Sequence, residues 1–366
     1  MRPTFRLGRV AGVEVGFHWS LLAIGALLVG SLAGSMLPQA VPHAHGSYLS
    51  AAVLAVVLFF ASILAHELAH SIVARRQGQT VNGITLWLLG GVSELGSEAK
   101  NANDELRVAI AGPATSIALG AVFGALAFAF DAMLPAGGLL PTVGWWLAIV
   151  NIALGLFNLL PGSPLDGGRV LAGLLWKFRG DRRNAQISAA RAGRVLGTLL
   201  VAGSLALLFS GTDAIMPALV GFFVLSASRR EESTARMLRT LDGRTVGELM
   251  RPLAGLPPEW TTVEDFGPST EPTLIAGWGG TPTALLLPGA VFAVPAEARS
   301  QVQLRALAVP LAKFSRVRTD ESATGVMEKG LPAVVDDAEG HPIGLFGLDE
   351  LKIAAQHDPV LARSAR

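Results

Sequence analysis

The sequence predicts a polytopic α-helical membrane domain of about six transmembrane helices, with a short membrane-associated β hairpin, followed by a cytoplasmic α/β domain. Three observations predict it. The 366 residues are 51% hydrophobic and only 16% charged, with mean hydropathy +0.48, whereas soluble chains carry roughly 25% charged residues. The charges are uneven: residues 1–228 hold 24 charged side chains, about a tenth of that stretch, and residues 229–366 hold 33, about a quarter. No Asp, Glu, Lys or Arg stands between Glu14 and Glu67, a run far longer than the roughly 20 residues one span needs. The expected organisation is a transmembrane domain over 1–228, a linker helix over 229–241 and a cytoplasmic domain over 242–366.

Charge and cysteine content narrow the classes. The net charge is +1, so the strongly basic face of a nucleic-acid binder is not expected. The chain has no cysteine. That excludes a disulfide scaffold, a cysteine protease, thiolate zinc sites and iron–sulfur ligation.

The spans follow in order. Pro38, Pro42, His43, His45 and Gly46 divide the first charge-free run, giving spans near 15–37 and 48–74. Residues 108–130 make a third. A fourth lies within 132–165, after a Pro/Gly turn at 135–141. Residues 195–212 and 214–228 are shorter and read as a helical hairpin around Gly211, Thr212 and Asp213. Basic residues gather at Arg2, Arg6 and Arg9, at Arg75 and Arg76, between Lys177 and Arg194, and at Arg229 and Arg230. With six spans all these clusters share one side, the cytoplasmic one. Both termini are then cytoplasmic and the location is the cell membrane. The first apolar run is too long for a cleaved signal peptide.

Two motifs carry chemistry. The first is His66-Glu67-Leu68-Ala69-His70. Helical positions i and i+4 share a face, so both imidazoles can bind one zinc ion. Glu67 stands beside them as a general base for a zinc-bound water. Ionisable groups within an apolar span are costly and mark function. The second motif is Asn158-Leu-Leu-Pro-Gly-Ser-Pro-Leu-Asp166-Gly167-Gly168. Its prolines and glycines break the fourth helix. Non-helical backbone at that depth must be buried or line a wet cavity. Asp166 is a natural third ligand there; taken alone, the run also reads as an interfacial turn.

These two motifs, with Ala111-Gly112-Pro113 opening the third span, resemble the site-2 protease family of intramembrane zinc metalloproteases over roughly residues 5–228. The resemblance implies that His66, His70 and Asp166 hold one Zn2+ and that Glu67 is the base. It also implies that Asn158 contacts the substrate backbone or the developing oxyanion. Ser116 stands where many relatives carry Asn, a departure expected to affect helix packing more than chemistry.

Ile84, Leu86 and Leu88 alternate with Thr85 and Trp87 before Gly90-Gly91, which reads as a hairpin over 80–95. The resemblance suggests that it pairs with an unwound substrate strand; a hairpin that only packs the core is the alternative. His18, His43 and His45 read as packed, interfacial or solvated rather than ligating. Asp131 and Asp213 read as span ends, and His341 and His357 as tail residues without a catalytic role.

In the tail, residues 245–250, 322–327, 331–336 and 344–351 resemble a degenerate pair of CBS modules, whose first half around 260–294 is the more altered. Such pairs often sense adenine nucleotides. Gly347 and Glu350 stand where relatives hold ribose and phosphates with Thr and Asp, and this argues against a nucleotide here. The alternative is a domain that dimerises or gates substrate entry. The expected activity is intramembrane zinc endopeptidase, acting on a transmembrane protein substrate within the lipid bilayer. The rivals are a metal transporter or channel, and a catalytically silent scaffold of the same fold.

Overall fold

The computed structural model describes residues 3–42, 44, 47–88, 90–133 and 138–347. The chain divides into two compact units, Met1–Ser233 and Thr234–Arg366.

The first unit opens with strands. β1 (Phe5–Val10) and β2 (Val13–Phe17) pair antiparallel. Residues 15–17, expected to begin the first span, are therefore strand. Val13, Val15 and Phe17 alternate with Glu14 and Gly16, the period of a strand; Val13 and Val15 are buried while Glu14 is exposed. The helix begins at α1 (Ser20–Ser31), passes through a π-helical stretch at Leu32–Met36 and ends as α2 (Leu37–Ala40). Pro38 supplies no N–H and its ring crowds the carbonyl four residues back, so a wider turn forms there.

α3 (Tyr48–Arg76) follows, with the Ser47 side chain accepting the Ser50 N–H at its start. β3 (Val81–Trp87) and β4 (Gly90–Leu95) form the expected hairpin. It is half of a larger sheet, because β2 pairs parallel to β3. The order is β1-β2-β3-β4, which leaves β4 at an edge.

α4 (Ala102–Met133), α5 (Leu139–Asn158), α6 (Asp166–Arg179) and α7 (Arg182–Phe209) follow, and α8 (Ile215–Leu241) begins in this unit and ends in the second. Among the described residues, five helices are long and apolar enough to cross a membrane: Ser20–Ala40, α3, α4, α5 and α7. The sixth expected span is not one of them. Its apolar stretch runs unbroken into the charged residues that follow, so the expected linker helix and the last apolar segment are one element, α8.

Large apolar side chains such as Leu27, Val57, Phe128 and Phe209 point outward. Glycines take the inner contacts. A Cβ on Gly155 would lie 2.9 Å from the Pro113 carbonyl, and one on Gly144 would lie 2.9 Å from the Ala127 side chain. Helices whose outer faces meet lipid gain little from burying large side chains, so small residues that admit close backbones hold α4 and α5 together.

The second unit holds α9 (Val246–Leu249), β5 (Arg251–Pro252), α10 (Val263–Phe266), β6 (Thr273–Ala276), β7 (Pro282–Leu286), β8 (Val309–Pro310), β9 (Ser315–Arg318), α11 (Ala323–Lys329), β10 (Ala333–Asp336) and β11 (Pro342–Phe346). One sheet has the order β5-β11-β10-β9 and the other β6-β7-β8. Val246, Val317, Val326, Val335 and Phe346 pack into one core. Val263, Ile275, Leu286 and Leu304 pack into another. Leu274 and Leu285 meet Val334 and Leu345 between the two sheets. Glu350 and His357 lie outside the described residues.

Candidate metal centre

α3 presents His66 and His70 on one face, a turn apart, both buried. Each ring is fixed from behind by α4. His70 Nδ1 lies 2.7 Å from the Val108 carbonyl, and His66 Nδ1 lies 2.9 Å from Ser116 Oγ. A carbonyl only accepts, so His70 Nδ1 carries a proton, which in the neutral imidazole leaves Nε2 with the lone pair a metal needs. Ser116 is fully buried. This position, expected to affect helix packing more than chemistry, also touches a candidate ligand directly through its hydroxyl.

α4 can come this close because Gly112 has no side chain. A Cβ there would lie 2.2 Å from His70 Nε2 and 2.5 Å from His66 Nε2.

Asp166 arrives from the other side. α5 ends at Asn158, and residues 159–165 form the predicted break before α6 begins at Asp166. The break is braced on several sides. Ser163 N–H donates to the Ala189 carbonyl of α7, and Ser228 Oγ of α8 donates to the Ser163 carbonyl. A Cβ on Gly167 would lie 2.3 Å from the Leu159 and Leu160 carbonyls, so the loop folds tightly over the first turn of α6. The Asp166 carboxylate sits in that first turn, where the helix dipole favours a negative charge. Arg169, one turn on, donates from Nε to Glu105 Oε1 of α4 at 2.9 Å.

Asp166 Oδ2 lies 3.1 Å from His66 Nε2 and 3.2 Å from His70 Nε2, and the two Nε2 atoms are 3.2 Å apart. These three groups could hold a metal ion. Ligand atoms about 2.1 Å from a tetrahedral zinc lie about 3.4 Å from one another. The observed spacing is within a few tenths of that. Two imidazoles and a carboxylate, with no thiolate, suit zinc. The residues therefore fit a zinc ion, with room in the ligand set for a water or substrate oxygen.

Glu67 shares a cavity of about 520 Å³ with the trio. Its walls are largely apolar: Phe60, Ile63, Trp87, Leu88, Pro164 and Phe223. Asn158 also lines it, but the side-chain amide donates to Leu154 O of its own helix at 3.0 Å. The structure thus brings His66, Glu67, His70 and Asp166 together and leaves Asn158 at the cavity wall.

The other singled-out residues lie elsewhere. His18 Nδ1 meets Ser20 Oγ at 2.9 Å at the start of α1. Asp131 accepts from Trp145 Nε1, and Asp213 accepts from Ile215 N–H at the start of α8. His341 pairs with Asp337, and the Asp337 carboxyl is held below its usual range by the His341 backbone N–H it accepts. His43 and His45 lie outside the described residues.

The chain is similar to several known proteins. The sequence matches peptidase family M50 over residues 54–135 and 132–202. It is 41% identical over 341 residues to a zinc metalloprotease named Rip3 from Mycobacterium tuberculosis, covering 91% of this chain and 86% of the relative. Among solved structures it is similar to a site-2 protease from Methanocaldococcus jannaschii, with 29% identity, a TM-score of 0.45, and 62% of this chain and 94% of that one covered. The CBS domain of a bacterial CNNM/CorC family Mg2+ transporter matches at 13% identity and a TM-score of 0.27, covering 37% of this chain and 93% of that one.

Proposed function

The chain belongs to peptidase family M50, the site-2 protease family, and on that premise we propose that it is an intramembrane zinc endopeptidase cutting a peptide bond in or near a transmembrane segment of another protein. One observation carries the reading: His66 Nε2, His70 Nε2 and Asp166 Oδ2 converge to within 3.2 Å beside Glu67 in a largely apolar cavity.

In this reading His66, His70 and Asp166 hold the zinc. When bound, the ion supplies Lewis-acid polarisation of the scissile carbonyl and lowers the pKa of the attacking water. Val108 and Ser116 keep the two imidazoles turned with Nε2 inward. Glu67 takes the proton of the attacking water and delivers it to the leaving amine. Asn158 turns from its own helix to meet the substrate backbone.

A helical substrate hides its carbonyls in internal hydrogen bonds, so it must unwind locally before it can be cut. β4 is an edge strand, and Gly90, Gly91 and Ser93 of it line the cavity. An unwound segment can therefore pair with it as an added strand. The basic clusters support a topology with both termini in the cytoplasm of the cell that carries this membrane. The second unit acts there as a regulatory module. The resemblance to CBS pairs offers an adenine nucleotide as its ligand, Gly347 and Glu350 stand against one, and titration with AMP, read as a shift in Tm, decides between them.

The test of the activity uses purified full-length protein in detergent with single-span membrane substrates. Cleavage by the wild type, loss of it in Glu67→Gln, and loss with a zinc chelator support the proposal. Cleavage that survives Glu67→Gln overturns it, and metal movement in vesicles without cleavage would point to transport.

A further inference from the structure

We propose that Ser93 of β4 is the positioning residue for Glu67, an inference that rests on Glu67 being the base. Ser93 Oγ donates to Glu67 Oε2 at 2.8 Å. The serine hydroxyl is itself held: Ser71 Oγ lies 3.4 Å away as a donor to it. Ser71 is fully buried and sits four residues after Glu67 on α3. Residues four apart share a helix face. α3 therefore carries two such pairs: His66 and His70 meet α4 and Asp166, while Glu67 and Ser71 both meet Ser93.

The same strand fixes the stem of the glutamate. Gly91 and Ser93 are two apart and share one face of β4. A Cβ on Gly91 would lie 2.2 Å from Glu67 Cγ, so the strand backbone closes against the side chain while Ser93 holds its tip.

A glutamate has several rotatable bonds, and freezing them at the moment of reaction costs conformational entropy when nothing has frozen them beforehand. A base must also stand within about 3 Å of the proton it takes. A hydroxyl bonded to Oε2 leaves Oε1 free for that proton. Ser93 thus orients the carboxylate without touching the reacting atoms, and the edge strand that faces an incoming segment also sets the base.

The experiment compares wild type, Ser93→Ala, Ser93→Thr and Glu67→Gln as full-length proteins, measuring kcat, KM and zinc per chain on one cleaved substrate. A displaced catalytic group costs on the order of 10- to 100-fold in rate. Ser93→Ala is expected to lose about that much in kcat, with KM and zinc content unchanged. Ser93→Thr, which keeps the hydroxyl, is expected to restore most of it. A wild-type kcat in Ser93→Ala overturns the inference, as does a loss carried by KM or zinc alone, or a loss that Ser93→Thr does not rescue. Glu67→Gln separates the two readings: inactive Glu67→Gln with a fully active Ser93→Ala removes only the role of Ser93, whereas an active Glu67→Gln removes the base itself.

Discussion

Gly112 of α4 and His70 of α3 are packed so closely that a Cβ on the glycine would lie 2.2 Å from the imidazole Nε2. The glycine is a spacer that lets one helix back the ligands carried by another. Gly112→Ala should push both imidazoles off their positions, because His66 Nε2 is only 2.5 Å from the same point. The expected outcome is protein that inserts in the membrane with zinc per chain well below one, measured by elemental analysis, and no proteolysis.

Ser116 acts one layer further out. Removing the partner of a ligating histidine's other nitrogen typically lowers metal affinity 10- to 100-fold. Ser116→Ala, which takes away the 2.9 Å contact to His66 Nδ1, should weaken zinc by about that factor in a chelator competition. Activity should return at high free zinc.

Glu105 and Arg169 tie α4 to α6 through a 2.9 Å bond, and both side chains are mostly shielded. A charge-assisted hydrogen bond of this kind contributes about 1.5–3 kcal/mol. Glu105→Gln should lower the Tm in detergent and loosen the α6 turn that carries Asp166, so kcat should fall with stability.

Gly193 of α7 lies against the loop that leads to Asp166. A Cβ there would meet the Ser163 carbonyl at van der Waals overlap and Ser228 Oγ at 2.5 Å. Gly193→Ala should shift the loop and with it Asp166. Loss of zinc and activity with retained expression is the expected readout.

Much of the site was legible because its chemistry is local. His66, Glu67 and His70 occupy one helical stretch, so spacing alone sets their common face. Asp166 was legible because Pro161 and Pro164 cannot continue a helix, although Gly167 and Gly168, read with them as breakers, lie in the first turn of α6. Ser116 and Ser93 were not: each lies far along the chain from the residue it touches, and a lone serine on an apolar helix or strand carries no pattern. The hairpin at 80–95 showed its alternation, yet the last three residues of its partner β2 open a long charge-free run whose hydropathy outweighed the two-residue period of Val13, Val15 and Phe17. The end of the last apolar segment was less legible. Composition changes at Ser228, but the backbone of α8 does not, because nothing near that point breaks a helix.

The central claim is that His66, His70 and Asp166 form one zinc site, and X-ray absorption at the zinc edge tests it most directly. The wild type should bind one zinc per chain with a nitrogen and oxygen shell near about 2.0–2.1 Å, together with the outer scattering of two imidazoles. His66→Ala and His70→Ala should each lose one imidazole or the metal. A wild type without zinc, or a zinc whose imidazole signal survives both substitutions, would contradict the account.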